Sequence, residues 1–345
     1  MDYDSLFTID PFGLDFNEKS KLYAEWVPAL CDHHRKFCPK YRLLSNALGS
    51  NPSLPVRIFK EFDLSSIESE EVIKTMTSSG TSGQQVSRIY LDRETSTRQT
   101  KALSKIVSSF TGKERLSMLI IDSSEVIKNR QMFSARGAGI LGFSMLGRNI
   151  TYALDESMKL SLDAIKVFCE QNINSKVLVF GFTFIVWQQF CQELLSQDIK
   201  LNLDGYLVHG GGWKKLEDQK VDNETLKMIV KQTCGISQVY NYYGMVEQTG
   251  SIFMECEAGN LHASIFSDIE IVDPLTLMTQ SSGRGLIKTT SLLPTSYPGH
   301  ILLTEDEGEI LGIDTCNCGR LGKYFKVFGR MKDAEIRGCS DTYGQ

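Results

Sequence analysis

The residues with the clearest chemical use are small ones. Thr77-Ser78-Ser79-Gly80-Thr81-Ser82-Gly83-Gln84-Gln85 strings hydroxyls and two glycines between an apolar-flanked segment and a β-like one. Glycines let a backbone approach an anion closely and turn its N–H groups inward, and the hydroxyls add donors, so the run suits a triphosphate. It departs from the common P-loop, because Gly80 and Gly83 are too close together and no Lys-Ser/Thr follows the second glycine. Taken alone, it also reads as an ordinary flexible turn. A second stretch, Gln238-Val239-Tyr240-Asn241-Tyr242-Tyr243-Gly244-Met245-Val246-Glu247, is a strand pattern ending in aromatics, a glycine and a carboxylate. Such a carboxylate can hold Mg²⁺ on phosphates or simply face solvent. In His209-Gly210-Gly211-Gly212-Trp213, three glycines after a strand offer a backbone that something flat can approach, or a plain turn.

Nine cysteines, an odd number scattered along the chain, argue against a disulfide framework and for reduced thiols. Cys256 and His262, six apart, with Cys316 and Cys318, two apart, supply three thiolates and one imidazole. These make a tetrahedral zinc set if folding unites them, and four unrelated residues if it does not. Full four-ligand closure leaves no open position for catalysis. Cys339 lies in Arg337-Gly338-Cys339-Ser340, where a nearby guanidinium favours the thiolate. It is a nucleophile candidate or an incidental cysteine. The pair His33-His34 invites a metal reading, but adjacent side chains on a helix point about 100° apart, so a solvated helix end is expected.

The elements that must position these groups alternate in type. A 345-residue chain with 41% hydrophobic and 23% charged residues has room for one large domain or two. Residues 1–65 read as a helical region, with Leu22, Trp26 and Leu30 at helical spacing, Pro28 as a kink candidate and 55–59 strand-like. Residues 66–282 read as an α/β core. Strands are expected at 86–91, 118–121, 176–181 and 203–208, and helices from Asp92 to Phe110, over 158–172 and over 182–195. Residues 283–345 read as a smaller β-rich subdomain. The apolar stretch 132–143, with Phe182, Phe184 and Trp187, walls a tunnel for an apolar tail or is core packing.

A net charge of −5 gives no broad reason to bind nucleic acid or an anionic membrane. The first residues lack a basic region followed by an apolar core, and the longest apolar run, 177–187, is too short to span a bilayer, so a cytoplasmic location is expected.

Three motifs occur in order: Ser78-Ser79-Gly80-Thr81-Ser82-Gly83, Tyr243-Gly244-Met245-Val246-Glu247 and Gly329-Arg330-Met331-Lys332-Asp333. Together they resemble the adenylate-forming enzymes, the superfamily of acyl-CoA synthetases, firefly luciferase and peptide-synthetase adenylation domains. Within it, the glycine-rich segment 133–143, Phe180-Gly181-Phe182-Thr183 and His209-Gly210-Gly211-Gly212-Trp213 look like the acyl-protein synthetases of bacterial bioluminescence, the fatty-acid ligase component of a fatty acid reductase complex.

The resemblance implies the N-terminal α/β domain of that superfamily without its C-terminal lid. It also implies ATP, Mg²⁺ and a carboxylic acid as reactants, acyl-AMP and pyrophosphate as products, and then transfer of the acyl group to a cysteine for an acyl-accepting reductase or carrier protein. On it, Ser78 to Gly83 cradle phosphates and Glu247 holds Mg²⁺. Gly210, Gly211 and Gly212 with Tyr242, Tyr243 and Gly244 receive adenine, Asp306 binds ribose, and Arg330 is a further ribose or phosphate contact. Cys339 becomes the acyl-carrying thiol. The pieces around Cys256, His262, Cys316 and Cys318 also resemble phenylacetate-CoA ligase relatives, where such a cluster can bind zinc. Two departures stand out. Gln84-Gln85 occupies the place where many relatives carry a lysine, with Arg88 as the compensating cation, and the hinge motif is followed by few residues. A phenylacetate-type CoA ligase and a non-catalytic nucleotide-binding subunit are the competing expectations.

Overall fold

The first long helix starts where the sequence provides a cap. Asp15 accepts the Glu18 amide at 2.8 Å and Glu18 reaches back to the Asp15 amide at 3.2 Å, which satisfies two of the helix's orphan donors. The helix Phe16–Phe37 then runs through Pro28 and buries Trp26, Leu30, Cys31 and His34. The structure, a computed structural model, describes residues 1–78, 85–128, 135–213 and 219–331. Two units make it up: one holds Met1–Ile106 and the chain from Met245 onward, the other Val107–Gly244.

His34 corrects the expectation of a solvated helix end. It lies one turn after Leu30 on the apolar face and is fully buried. Its Nδ1 meets Ser66 Oγ at 2.7 Å and its Nε2 meets the Pro294 carbonyl at 3.2 Å. Its ring stacks on His300 at 4.7 Å. The strand-like 55–59 is also corrected. Only β1 (Leu54–Pro55) is extended, and Ile58–Glu61 is helical. β2 (Lys74–Thr77) and β3 (Arg88–Leu91) pair antiparallel, and the Asp92 carboxylate accepts the Thr95 amide at 2.7 Å to start the helix Arg93–Thr111.

In the second unit β4 (Leu116–Ser123), β5 (Gly147–Leu154), β6 (Lys176–Phe182), β7 (Asp204–Gly210) and β8 (Gln238–Tyr243) form a parallel sheet in the order β5-β4-β6-β7-β8. β6 is buried at every position after Lys176, as befits a parallel strand covered on both faces. The helix expected over 158–172 begins only at Leu162. Asp155 spends its carboxylate on the amides of Ser157 and Lys159, at 2.8 and 3.0 Å, and holds a turn there. β5 has no counterpart in the sequence reading, because three consecutive exposed residues, Arg148 to Ile150, hide its alternation.

The remainder of the first unit is antiparallel: β9 (Phe253–Glu255), β10 (Leu261–His262), β11 (Ser267–Val272), β12 (Thr279–Gln280), β13 (Gly285–Ser291), β14 (Ile301–Ile313) and β15 (Lys323–Arg330), in the order β12-β11-β13-β14-β15-β10-β9. Buried Lys19 joins the first long helix to this sheet, donating to Ser267 O at 2.8 Å and to Asp268 at 3.2 Å. Lys323 holds the other Asp268 oxygen at 2.7 Å, so both oxygens of this carboxylate are paired. Among the described residues no helix is long and apolar enough to cross a membrane.

Candidate active site and metal-donor cluster

β2 and β3 flank the small-residue loop. At its neck the Ser78 amide donates to Ser87 O at 3.2 Å, and the Ser87 amide donates to Ser78 Oγ at 2.9 Å. Ser79, Gly80, Thr81, Ser82 and Gly83 lie outside the described residues. Arg88, the expected stand-in for a loop lysine, is exposed and already engaged: its Nε donates to Asp63 at 2.7 Å, and Tyr90 OH donates to the same oxygen at 2.6 Å.

Glu247 is not a solvated side chain. It sits in the single turn Val246–Gln248 with 7% of its surface exposed. Burial pushes its carboxyl above the ordinary value, while the Ser87 side chain, its own amide and the charges of Lys60 and Arg330 pull the other way. The turn is pinned from behind, since Tyr297 OH donates to Glu247 O at 2.9 Å and Gln99 Nε2 donates to Tyr297 OH at 3.3 Å. Asp306 on β14 lies directly opposite Arg330 on β15, which puts the two side chains on one face. Next to Asp306, Glu305 is held by Arg57, whose Nε lies at 2.7 Å. The structure thus gathers Glu247, Asp306 and Arg330 into one unit. Lys60, in the same unit, adds a positive charge acting on Glu247 without having been singled out in the sequence, where it has no motif of its own.

Cys256, His262, Cys316 and Cys318 converge, with their donor atoms all within 4.8 Å of one another. β9 and β10 bring Cys256 and His262 together through a tight turn, in which the Cys256 amide donates to Asn260 O at 2.8 Å and the Gly259 amide donates back to Cys256 O at 2.9 Å. Cys316 and Cys318 come from the loop after β14. The Cys256–Cys316 sulfur separation is 3.8 Å, and Cys318 Sγ lies 3.3 Å from His262 Nε2. Zinc bonds of about 2.3 Å to sulfur at tetrahedral angles set sulfurs about 3.8 Å apart, so this donor set fits that ion. Burial, reinforced by Arg320, pushes the His262 imidazole down to about 4, which keeps it neutral. Its ring stacks on Tyr324 at 5.7 Å, and Arg320 pairs with Glu257 at 2.6 Å beside it.

In the second unit the carboxyl ends of β6, β7 and β8 carry Phe182, Gly210 and Tyr242, the edge of a parallel sheet where ligands commonly sit. Phe143, from the helix Ala135–Ser144, stacks on Phe180 at 4.1 Å and tilts against Tyr242 at 5.2 Å. Phe143 and Phe180 are core, in line with the packing alternative for that stretch. A Cβ on Gly210 would stand 2.5 Å from the Tyr242 ring, and one on Gly211, at φ +80°, would stand 2.8 Å from Phe182. Only glycine lets the turn lie against these rings. Gly212 follows at φ +67°, and Trp213 meets Trp187 edge to face at 5.7 Å. Trp187 lies where the helical stretch 183–196 widens to π spacing, over Val186–Cys191. Tyr243 is half-buried at the end of β8, and Gly244 is exposed.

Residues 2–345 match the family described as acyl-protein synthetase, LuxE. The chain belongs to that family. Two curated relatives agree over almost the whole length. A long-chain-fatty-acid–luciferin-component ligase of Vibrio harveyi is 22% identical, covering 99% of this chain and 92% of its own. A ligase of the same description from Aliivibrio fischeri is 23% identical, covering 98% and 92%. Among solved structures, an open 2-hydroxyisobutyryl-CoA ligase in complex with 2-HIB-AMP and CoA superposes with a TM-score of 0.68 at 15% identity, over 93% of this chain and 76% of that one. The same ligase in its thioesterification state gives 0.65 at 16% identity, over 93% and 70%.

The fold is therefore that of the adenylate-forming enzymes, and the chain, as a member of this family, is an acyl-protein ligase. This removes the non-catalytic subunit expected as one alternative. Cys339, the nucleophile candidate, lies outside the described residues.

Proposed function

We propose that this LuxE-family chain activates a long-chain fatty acid with Mg·ATP and then passes the acyl group to the Cys339 thiol for delivery to an acyl reductase. The observation that carries the reading is the family match over residues 2–345, which its two luciferin-component ligase relatives accompany. A carboxylate oxygen attacks the α-phosphorus and pyrophosphate leaves. The Cys339 thiolate then attacks the acyl carbon, AMP leaves with the bonding pair, and the thiol proton goes to solvent. A carboxylate is a poor nucleophile repelled by phosphate charge, so positioning and positive potential are what the protein must supply.

Each group has a role in this reading. The loop from Ser78 to Gly83 cradles the phosphates. Glu247, a buried carboxyl with Lys60 and Arg330 acting on it, has the oxygen chemistry to hold Mg²⁺, which when bound would neutralise phosphate charge. Gly210 to Gly212, with Tyr242, Tyr243 and Gly244, take the adenine, and Asp306 and Arg330 take the ribose. Cys256, His262, Cys316 and Cys318 hold a structural zinc.

The test is intact mass after incubation with ATP and a long-chain fatty acid. An acyl thioester is expected on the wild-type chain and absent in Cys339→Ser; an undiminished adduct in that variant removes Cys339 from the mechanism. Pyrophosphate exchange dependent on the acid reads the first step separately. A second reading, a phenylacetate-type CoA ligase, is favoured by the convergence of the four zinc donors. Acyl-CoA formed by the protein alone would select it.

A further inference from the structure

His209 is a costly residue to keep where it is. It sits on β7 immediately before the glycine turn, only 2% exposed, and its Nε2 has no hydrogen-bond partner among the described residues. A leucine would pack at such a position without leaving a buried polar atom unmatched. The other ring nitrogen explains the choice. His209 Nδ1 lies 2.9 Å from Thr183 Oγ1, and Thr183 Oγ1 lies 3.1 Å from the Gly210 carbonyl. A carbonyl only accepts, so the single hydroxyl proton of Thr183 goes to Gly210, and the bond to His209 must be donated by the ring. The imidazole is thereby fixed as the Nδ1–H tautomer, with its lone pair on Nε2.

The chain of two bonds starts in β7, crosses to the first residue of the helical stretch after β6, and returns to the residue where the glycine turn begins. Gly181 is the register partner of His209, and Phe182 that of Gly210, so the Thr183 hydroxyl, just past the end of β6, lies beside both ends of the relay on β7. Phe182 is also the ring on which Gly211 leans. We propose that His209 is a positioning residue for the nucleotide: through Thr183 it holds the Gly210 carbonyl, and so holds the glycine turn in the shape that receives the adenine ring.

This rests on the reading of Gly210 to Gly212 as the adenine site. A general-base role for His209 is disfavoured, because burial, with Lys227 adding to it, pushes the imidazole down to about 3. A group with so low a value stays neutral across the working range and is a weak proton acceptor.

The experiment compares His209→Leu, which removes both ring nitrogens, with His209→Asn, whose amide can donate from the Nδ1 position and has nothing at Nε2. The readouts are binding of Mg·ATP and acid-dependent pyrophosphate exchange between pH 6 and 9. His209→Leu is expected to raise KM for ATP roughly tenfold with kcat little changed, the loss of about one positioned hydrogen bond. His209→Asn is expected to rescue most of that, and the pH profile keeps its shape in both. If His209→Leu does not fold, Thr183→Val against Thr183→Ser reads the same link, with serine rescuing. A His209→Asn variant as impaired as His209→Leu overturns the proposal, as does an acidic limb of the profile that vanishes with the histidine. A wild-type protein that neither binds Mg·ATP nor exchanges pyrophosphate overturns the adenine reading and this proposal together. Wild-type exchange matched by His209→Leu overturns this proposal alone.

Discussion

The two units gather their special residues in opposite ways. In the first, charge-handling groups converge: four sulfur and nitrogen donors come within 4.8 Å of one another, and a buried carboxyl is acted on by Lys60 and Arg330. In the second, what converges is rings and absences: Phe143, Phe180, Phe182 and Tyr242 pack around glycines that leave no room for a Cβ. A site for an ion is recognisable by what its side chains offer. A site for a flat ring is recognisable by what they withhold, and that shows only once the packing is known.

The sharpest way to break this contrast is to remove one donor. Cys256→Ala should abolish a stoichiometric zinc, measured by elemental analysis of the purified chain, and cost on the order of 4 kcal/mol of stability, since three remaining donors cannot close the site. Wild-type protein that purifies without zinc, takes up none when it is added and melts together with Cys256→Ala would show that the convergence is packing and nothing more.

Glu247→Gln separates charge handling from stability. Acid-dependent pyrophosphate exchange should fall about 100-fold or more, as for loss of a group that positions phosphate charge. Stability should move the other way. Burial raises this carboxyl above its ordinary 4.5, so the folded protein holds the proton more tightly than the unfolded chain does. That contribution is fully present below about 4.5 and is lost as pH rises through the folded value. Urea midpoints for wild type and Glu247→Gln should therefore coincide near pH 4, with the variant equal or higher at pH 7. A variant weaker at neutral pH would mean that the carboxylate is paired more strongly than its surroundings indicate.

Gly210→Ala probes the other unit. Its backbone is not in the left-handed region, so the damage comes from the added methyl 2.5 Å from the Tyr242 ring. Overpacking of this kind costs about 1–3 kcal/mol. ATP binding should weaken with it while zinc content is untouched, and unchanged ATP affinity by calorimetry would detach this turn from the nucleotide. The smallest effect is expected at Arg88. Its exposed pair with Asp63 should contribute less than about 1 kcal/mol, so Arg88→Ala should melt close to wild type. A large fall in pyrophosphate exchange in that variant would restore Arg88 as the loop's missing cation.

Much of the local structure was legible. Asp92 ahead of the helix Arg93–Thr111, the apolar run of β6 and the β-rich character of the chain after residue 283 all follow from local patterns. The misreadings have a common cause. His34 looked like a helix end because its neighbours are polar, yet Ser66, Pro294 and His300, all distant in sequence, cover it. β5 is hidden by three consecutive exposed residues that break its alternation, and the helix after it is shortened by a turn that Asp155 holds with its own side chain.

The sequence by itself determined the chemistry available: three ordered motifs that point to an adenylate-forming enzyme, three thiols and an imidazole suited to zinc, and glycines where large side chains are excluded. Tertiary structure alone decided which of these meet. Cys256 meets Cys316, Asp306 comes to lie opposite Arg330, and Thr183, at the start of the helical stretch after β6, links the His209 ring to the Gly210 carbonyl. Caps and periodicity are settled by neighbours along the chain, whereas burial and the pairing of polar atoms are settled by partners tens or hundreds of residues away, which only long-range strand register brings into contact.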